Sequence, residues 1–168
     1  RLENSQMFLV FMIFSILRAP KQALYRICIL FRKAMKKVEK VKAYCLTLPE
    51  AVEDYPFGPD IQVFKIKEKM FGLMTYRKGV ARINLKCDPE EAIILREIHD
   101  DVIPGYHMNK AHWNTVILNG KLPLGEIRRM INRSYSLVVR KLRRDSRESL
   151  ELRHGIEKLY RSDRSFWV

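Results

Sequence analysis

The stretch at 61–86, IQVFKIKEKMFGLMTYRKGVARINLK, gives the clearest indication of the fold, because it reads as three consecutive β-strands at 61–66, 70–76 and 80–86. In the third strand Ala81, Ile83 and Leu85 alternate with polar residues, as in a strand with one buried face. The strands are separated by the short polar segments at 67–69 and 78–79. Such short turns join neighbouring antiparallel strands, so the stretch predicts an antiparallel meander.

A helical pattern precedes the meander. From Met35 onward, apolar residues recur on one face of a helix until Pro49 ends it; they are Val38, Val41, Cys45 and Leu48. The loop at 54–59, with two prolines, a glycine and two large rings, then leads into the first strand. The sequence therefore predicts one helix ahead of the sheet.

Two more helices are predicted after the meander. The first begins at Asp88-Pro89-Glu90-Glu91, where Asp88 is placed to cap the helix and Glu91 to complete a capping box, and it runs to about Ile98. The second runs from Leu122-Pro123 to about Leu142, with an inner face of Ile127, Met130, Ile131, Ser134, Val138 and Leu142. One interpretation of Tyr135 places its ring at the edge of this helix.

The stretch at 104–115, PGYHMNKAHWNT, concentrates side chains that bond, stack or carry charge. A Pro-Gly turn opens it, and the β-branched run within 113–118 predicts a strand that closes it. His107 and His112 lack the spacing of a helical metal pair, and no cysteine or carboxylate cluster lies nearby in the sequence. The sequence also names no nucleophile or carboxylate partner for a catalytic histidine. We therefore predict a binding surface here, with no metal and no cofactor.

The composition fits one folded, basic domain. The chain has 168 residues and is 47% hydrophobic, which excludes wholesale disorder. Its 32 basic and 19 acidic residues give a net charge of +13, which favours acidic partners such as nucleic acid or an anionic membrane surface. Three widely spaced cysteines without a CxxC motif indicate free, buried thiols in a reducing cytoplasm; they are Cys28, Cys45 and Cys87.

The two ends of the chain differ from its middle. The first residue is Arg and the clean periodicity begins at Met35, so we expect residues 1–34 to be a basic, apolar extension that is poorly packed or not normally translated. The apolar run at 7–17 is shorter than the roughly 20 residues that cross a bilayer. Residues 22–35 form a basic amphipathic pattern that suits a membrane surface, although we do not expect membrane attachment.

The charged tail at 143–168 is expected to lie outside the domain. Residues 146–160 predict a further helix within it. One side of that helix would carry Leu152, Ile156 and Leu159, and its mixed charges would face solvent.

Short motifs in the middle of the chain occur together, in a fixed order. They are YCLTLP at 44–49, EDYPFG at 53–58, MF at 70–71, NLKCDP at 84–89, PGYHMNK at 104–110, HWNT at 112–115 and SY at 134–135. In these motifs residues 35–142 resemble the MmcQ/YjbR-like family. The resemblance implies a small α+β domain, related to the CyaY-like and secretion-chaperone-like folds, in which helices pack on an antiparallel sheet.

The same resemblance implies binding of DNA through a double-wing arrangement of hairpins. On that basis we expect phosphate contacts from strand and loop cations, namely Lys65, Arg82, Lys86 and Lys110. The side chains expected to stack or form hydrogen bonds beside them are Tyr106, His107, Asn109, His112 and Trp113. Phosphate contacts bring affinity without sequence information. The expectation is a cytoplasmic, non-enzymatic DNA-binding protein.

Two other classes of function stay open. A chaperone-like fold allows a protein-interaction module, in which the 104–115 stretch would hold a peptide or a partner protein. A small-molecule or enzymatic site built on His107 and His112 ranks last, because no nucleophile or metal pattern accompanies them. Salt-dependent binding to DNA separates the first class from the second.

Overall fold

The computed structural model describes residues 21–118 and 121–161, which form an α+β fold, as the sequence predicts. The helices in these ranges are α1 Lys21–Leu46, α2 Pro89–Ile98, α3 Leu124–Arg140, α4 Arg144–His154 and α5 Ile156–Leu159. The strands are β1 Val52–Asp54, β2 Gln62–Ile66, β3 Lys69–Arg77, β4 Val80–Lys86, β5 Val102–Pro104 and β6 Trp113–Ile117. No helix in the described ranges combines the length and apolar character needed to cross a membrane.

The strands form one sheet in the order β1-β2-β3-β4-β6-β5, and every neighbouring pair is antiparallel. The predicted meander is therefore confirmed as β2–β3–β4. Its first turn has no glycine, and Lys67 and Glu68 take the left-handed conformation there, with φ of 45° and 61°. A bulge between β2 and β3 leaves Phe71 as the extra residue, and its ring meets Tyr135 edge-on at 5.4 Å.

The helices pack on one face of the sheet. The core holds alternate strand residues, Phe64, Met74, Ile83, Leu85 and Val116, together with the predicted inner faces of α1 and α3. Tyr135 belongs to this core: it is 1% exposed, and its hydroxyl donates to the Pro49 carbonyl at 2.6 Å. The edge interpretation of Tyr135 is wrong, because the loop after α1 supplies a partner for its hydroxyl.

Helix α1 begins earlier than the sequence predicts. It starts at Lys21 and passes through Met35 without a break, although the first fully buried side chain in its described part is Val38. The run at 7–17 and the turn at 119–120 lie outside the described residues, as do the side chains of Leu24, Ile27, Cys28 and Phe31. Whether the native domain begins at Met35 stays a prediction.

The charged tail contributes to the core. Leu150 of α4 and Leu159 of α5 are buried in it, whereas Leu152 is 88% exposed and Ile156 is 63% exposed. The predicted apolar side of one continuous helix is therefore wrong. Gly155 breaks the helix at φ 80°, so α4 makes its apolar contact through Leu150, two residues before the predicted Leu152, whereas Leu159 is buried as predicted.

The start of α2 differs from the predicted capping box. Asp88 makes no side-chain cap, and its carboxylate accepts instead from Arg133. Glu91 is buried and accepts from Arg129 Nη1 and Arg133 Nε, each at 3.0 Å. Charged hydrogen bonds are stronger than neutral ones, so the arginines of α3 hold these carboxylates in place of the helix N-terminus.

Candidate nucleic-acid interface

The face of the sheet opposite the helices carries polar and basic residues together with a few apolar ones. The strand registers place Val63, Leu73, Asn84 and Thr115 in one row across β2, β3, β4 and β6. Val63 and Leu73 are buried, yet neither belongs to the core under the helices. We call this side the open face; by strand alternation it carries Lys65, Thr75, Arg77, Arg82, Lys86 and Trp113 in addition to that row.

Lys86 and Trp113 form the first cation–ring pair of the open face. They are register partners on β4 and β6, and Lys86 Nζ lies 5.3 Å from the Trp113 ring centroid. Burial lowers the pKa of Lys86, and the positive charges of Lys141 and Lys69 lower it further. Lys86 forms no salt bridge within 21–118 and 121–161, so its charge is not neutralised by a described carboxylate.

Trp113 itself does not serve as an exposed stacking platform. Its side chain is buried, with 8% exposed, under the ammonium of Lys86. This corrects the expectation of base stacking at this position. The β6 backbone holds the ring in place, and the ring in turn supports Lys86.

Arg77 and Tyr106 form the second pair. The Arg77 guanidinium carbon lies 5.0 Å from the Tyr106 ring centroid, and the His107 ring lies 4.0 Å from the same centroid. Tyr106 is 52% exposed, and its backbone N–H donates to Thr115 Oγ1 at 3.1 Å. Sequence reasoning missed Arg77, although its spacing of two from Thr75 and four from Leu73 along β3, which places all three on one face, was a usable signal.

Arg82 and Lys65 behave differently from each other. Arg82 is register partner to Thr75 and Ile117, and its buried Nε finds no hydrogen-bond partner in the described structure. Lys65 is paired with the Asp54 carboxylate, which raises the pKa of that lysine. Lys65 is therefore already neutralised, which weakens the prediction that it contacts phosphate.

Residues 109–115, which we call the outer half of the loop at 104–115, are held by Arg96 of α2. Sequence reasoning also missed Arg96. Arg96 Nε donates to Asn114 Oδ1 at 2.7 Å, and its Nη2 donates to the carbonyls of Lys110 and Trp113. These contacts link residues on separate elements, so no local sequence pattern marks them. They orient the loop on the sheet.

The remaining predicted site residues lie in that outer half. Asn109 Oδ1 accepts from the Ala111 N–H at 3.0 Å, and the His112 carbonyl accepts from the Cys87 N–H at 3.0 Å. The Asn109 side chain therefore has a structural role in the loop, whereas the His112 contact is made by the backbone alone. The side chains of Lys110 and His112 are exposed.

Metal or thiol chemistry has little support at the described positions. No cluster of three or more His, Cys, Asp or Glu residues suited to a metal ion occurs within them. Cys45 and Cys87 are free and buried, and burial raises the pKa of Cys87 to about 12. Both are therefore protonated and unreactive near neutral pH.

Comparison with known proteins gives one consistent family. Residues 46–137, more than half of the chain, match the YjbR family. The uncharacterized protein YbdF of Escherichia coli O157:H7 is 42% identical over 101 residues, which cover 60% of this chain and 83% of YbdF. YjbR of Escherichia coli K12 is 32% identical over 113 residues, covering 67% of this chain and 96% of YjbR.

A solved structure agrees with these sequence matches. The crystal structure of the Deinococcus radiodurans protein DR2400, a DUF419 domain, superposes with a TM-score of 0.64 at 35% identity. The match covers 71% of this chain and 91% of that one. The chain belongs to the YjbR family.

Proposed function

We propose that this protein binds DNA through the open face of its sheet. The proposal rests on one observation: Arg77, Arg82 and Lys86 lie on one face and form no salt bridge with any described carboxylate. Exposed cations normally find counter-charges in solvent, but here two of them are fixed over aromatic rings. Three cations on one face, none of them paired with a described carboxylate, suit a polyanionic partner.

The electrostatics of Lys86 support a phosphate ligand. The pKa of Lys86 is lowered by burial and by repulsion from Lys141 and Lys69, so its positive charge is less well stabilised here than in water. A phosphate placed beside Lys86 would offset that repulsion and raise the pKa again. The free energy released would contribute to binding.

Tyr106 supplies the part of the surface that can touch bases or sugars. Its ring is half exposed and is held between Arg77 and His107. Phosphate contacts position a protein on the duplex, whereas contacts to base edges specify sequence. Most of the proposed contacts are cationic and meet phosphates, so we propose that the protein binds DNA with little sequence selection and catalyses no reaction. The buried free thiols of Cys45 and Cys87 favour a reducing, cytoplasmic setting.

A titration of the full chain against a fluorescent DNA duplex at several salt concentrations tests the proposal. The logarithm of affinity should fall linearly with the logarithm of salt concentration, by about 0.9 for each phosphate neutralised. Three open-face cations would contribute about 3 to the magnitude of that slope. An absence of binding at low salt, or an affinity that salt does not change, contradicts the proposal and favours a protein partner.

A further inference from the structure

Helix α2 exposes an apolar patch made of three neighbouring isoleucines. Ile93, Ile94 and Ile98 are 56%, 54% and 62% exposed. The exposed carboxylates Glu90 and Glu97 lie on the same side of the helix, since 100° of rotation per residue places all five within one sector. We call these five residues the acidic patch.

The acidic patch has unused negative charge. Glu90 and Glu97 form no salt bridge with any described residue. Neighbouring carboxylates are engaged: Glu91 with two arginines, and Asp101 with the Leu122 N–H at 3.1 Å. On a chain of net charge +13, an apolar surface flanked by free carboxylates is suited to a basic, apolar partner.

The first half of α1 has those properties. We call residues 21–36 the basic arm; its exposed side chains include Tyr25, Ile29, Leu30, Arg26, Arg32 and Lys33. The sequence contains no Asp or Glu between Glu3 and Glu39. Residues 21–33 alone extend about 20 Å at the rise of an α-helix.

The arm leaves the body beside the acidic patch. Lys37, at the base of the arm, donates to the Leu122 carbonyl. The Asp101 carboxylate, bonded to the Leu122 N–H, opposes the lowering of the Lys37 pKa that burial causes. Asp101 follows α2 by three residues, so the base of the arm and the end of α2 lie on the same side of the molecule.

We propose that the chain forms a twofold dimer in which the basic arm of each copy lies on the acidic patch of the other. A twofold axis makes each contact occur twice, so the basic arm and the acidic patch of both copies are covered. The isoleucines of α2 supply apolar area, and the charges of Glu90 and Glu97 facing Arg26 and Lys33 set the orientation. This dimer is independent of the DNA proposal.

Sedimentation equilibrium of the full chain, with charge-reversal variants, tests the dimer. Glu90→Lys with Glu97→Lys, and separately Arg26→Glu with Lys33→Glu, should each weaken dimerisation by about tenfold or more, because like charges would then oppose each other. The four changes together should restore most of the affinity. The matched control is Arg143→Glu with Lys158→Glu, which should leave the dimer unchanged. Both residues are exposed; Arg143 immediately precedes α4, and Lys158 lies on α5.

The restored affinity of the fourfold variant is the decisive outcome, since misfolding cannot produce it. A wild-type chain that stays monomeric overturns the proposal, including a monomer whose arm binds anionic lipid vesicles instead. A wild-type dimer that neither reversal weakens, or that the fourfold variant fails to restore, overturns it as well. Circular dichroism of each variant establishes that the fold is kept.

Discussion

Gly105 and Trp113 approach each other so closely that no larger residue fits at the glycine. The Gly105 N–H donates to the Trp113 carbonyl at 2.9 Å. A Cβ atom on Gly105 would lie 2.7 Å from Trp113 Cβ and 2.9 Å from its carbonyl oxygen. The close approach joins the end of β5 to the start of β6 and so holds the loop that carries Tyr106.

Gly105→Ala should lower the free energy of unfolding by about 1–3 kcal/mol, because the added methyl group forces the two backbones apart. Urea denaturation measures the change. Gly125→Ala is the matched control: a Cβ there meets nothing within 4 Å, and alanine in a helix should stabilise by up to about 1 kcal/mol. Equal effects from the two substitutions would show that the close approach is not a constraint.

Tyr135→Phe removes the hydroxyl that donates to the Pro49 carbonyl. The carbonyl is then left without its partner beside a buried ring, so the free energy of unfolding should fall by about 1–3 kcal/mol. Tyr76→Phe removes a hydroxyl from a ring that is 48% exposed, and should change stability by less than about 0.5 kcal/mol. Thermal unfolding of both variants compares them, and a neutral Tyr135→Phe would remove this bond from the account.

Leu150→Ala tests whether α4 belongs to the folded unit. Leu150 is fully buried, so its truncation should cost about 2–5 kcal/mol of unfolding free energy. Leu152→Ala, two residues further along the same helix, removes a side chain that is 88% exposed and should cost almost nothing. A larger loss of stability from Leu152→Ala than from Leu150→Ala would show that α4 does not pack on the core through Leu150.

These residues show what the sequence could predict and what it could not. Alternation in β4 is a local signal, and Ala81, Ile83 and Leu85 are buried as predicted. The three-residue strands β1 and β5 are too short to show alternation, so pairing with β2 and β6 defines them.

The candidate site was harder to predict than the fold. The roles of Glu91 and Arg96 depend on partners from distant elements, and local spacing placed Glu91 in a cap. Lys86 and Trp113 were both predicted as site residues, but their roles follow from the register that joins β4 to β6. Arg77 lies in a strand that sequence reasoning used only for the fold.

Stability should depend on pH through Glu50. Its carboxylate lies 2.6 Å from Lys67 Nζ and 3.1 Å from His154 Nε2, and the hydrogen bond with Lys67 is the main cause of its lowered pKa. A carboxyl group with a lowered pKa stabilises the fold above its ordinary pKa, and that stabilisation is lost as pH falls through the folded value.

Urea denaturation at about pH 6 and about pH 3 measures this contribution. Glu50→Gln should lose stability mainly at the higher pH, so its stability should change less with pH than that of the wild type. Glu39→Gln, which removes an exposed carboxylate without a described ion pair, should follow the wild-type curve. Identical curves for Glu50→Gln and the wild type would contradict the assignment.

The most direct test of DNA binding at the open face is the salt dependence of a variant in which Arg77, Arg82 and Lys86 are all methionine. Methionine keeps much of the apolar stem over the rings and removes the charge. The control variant, Lys40→Met with Arg143→Met and Lys158→Met, loses the same total charge. These three residues are exposed and lie on α1, immediately before α4 and on α5. We expect the open-face variant to bind duplex DNA more weakly, with a salt slope smaller in magnitude by about 3, and the control to keep the wild-type slope. Equal losses in the two variants would show that net charge alone binds DNA, and would contradict a site on the open face.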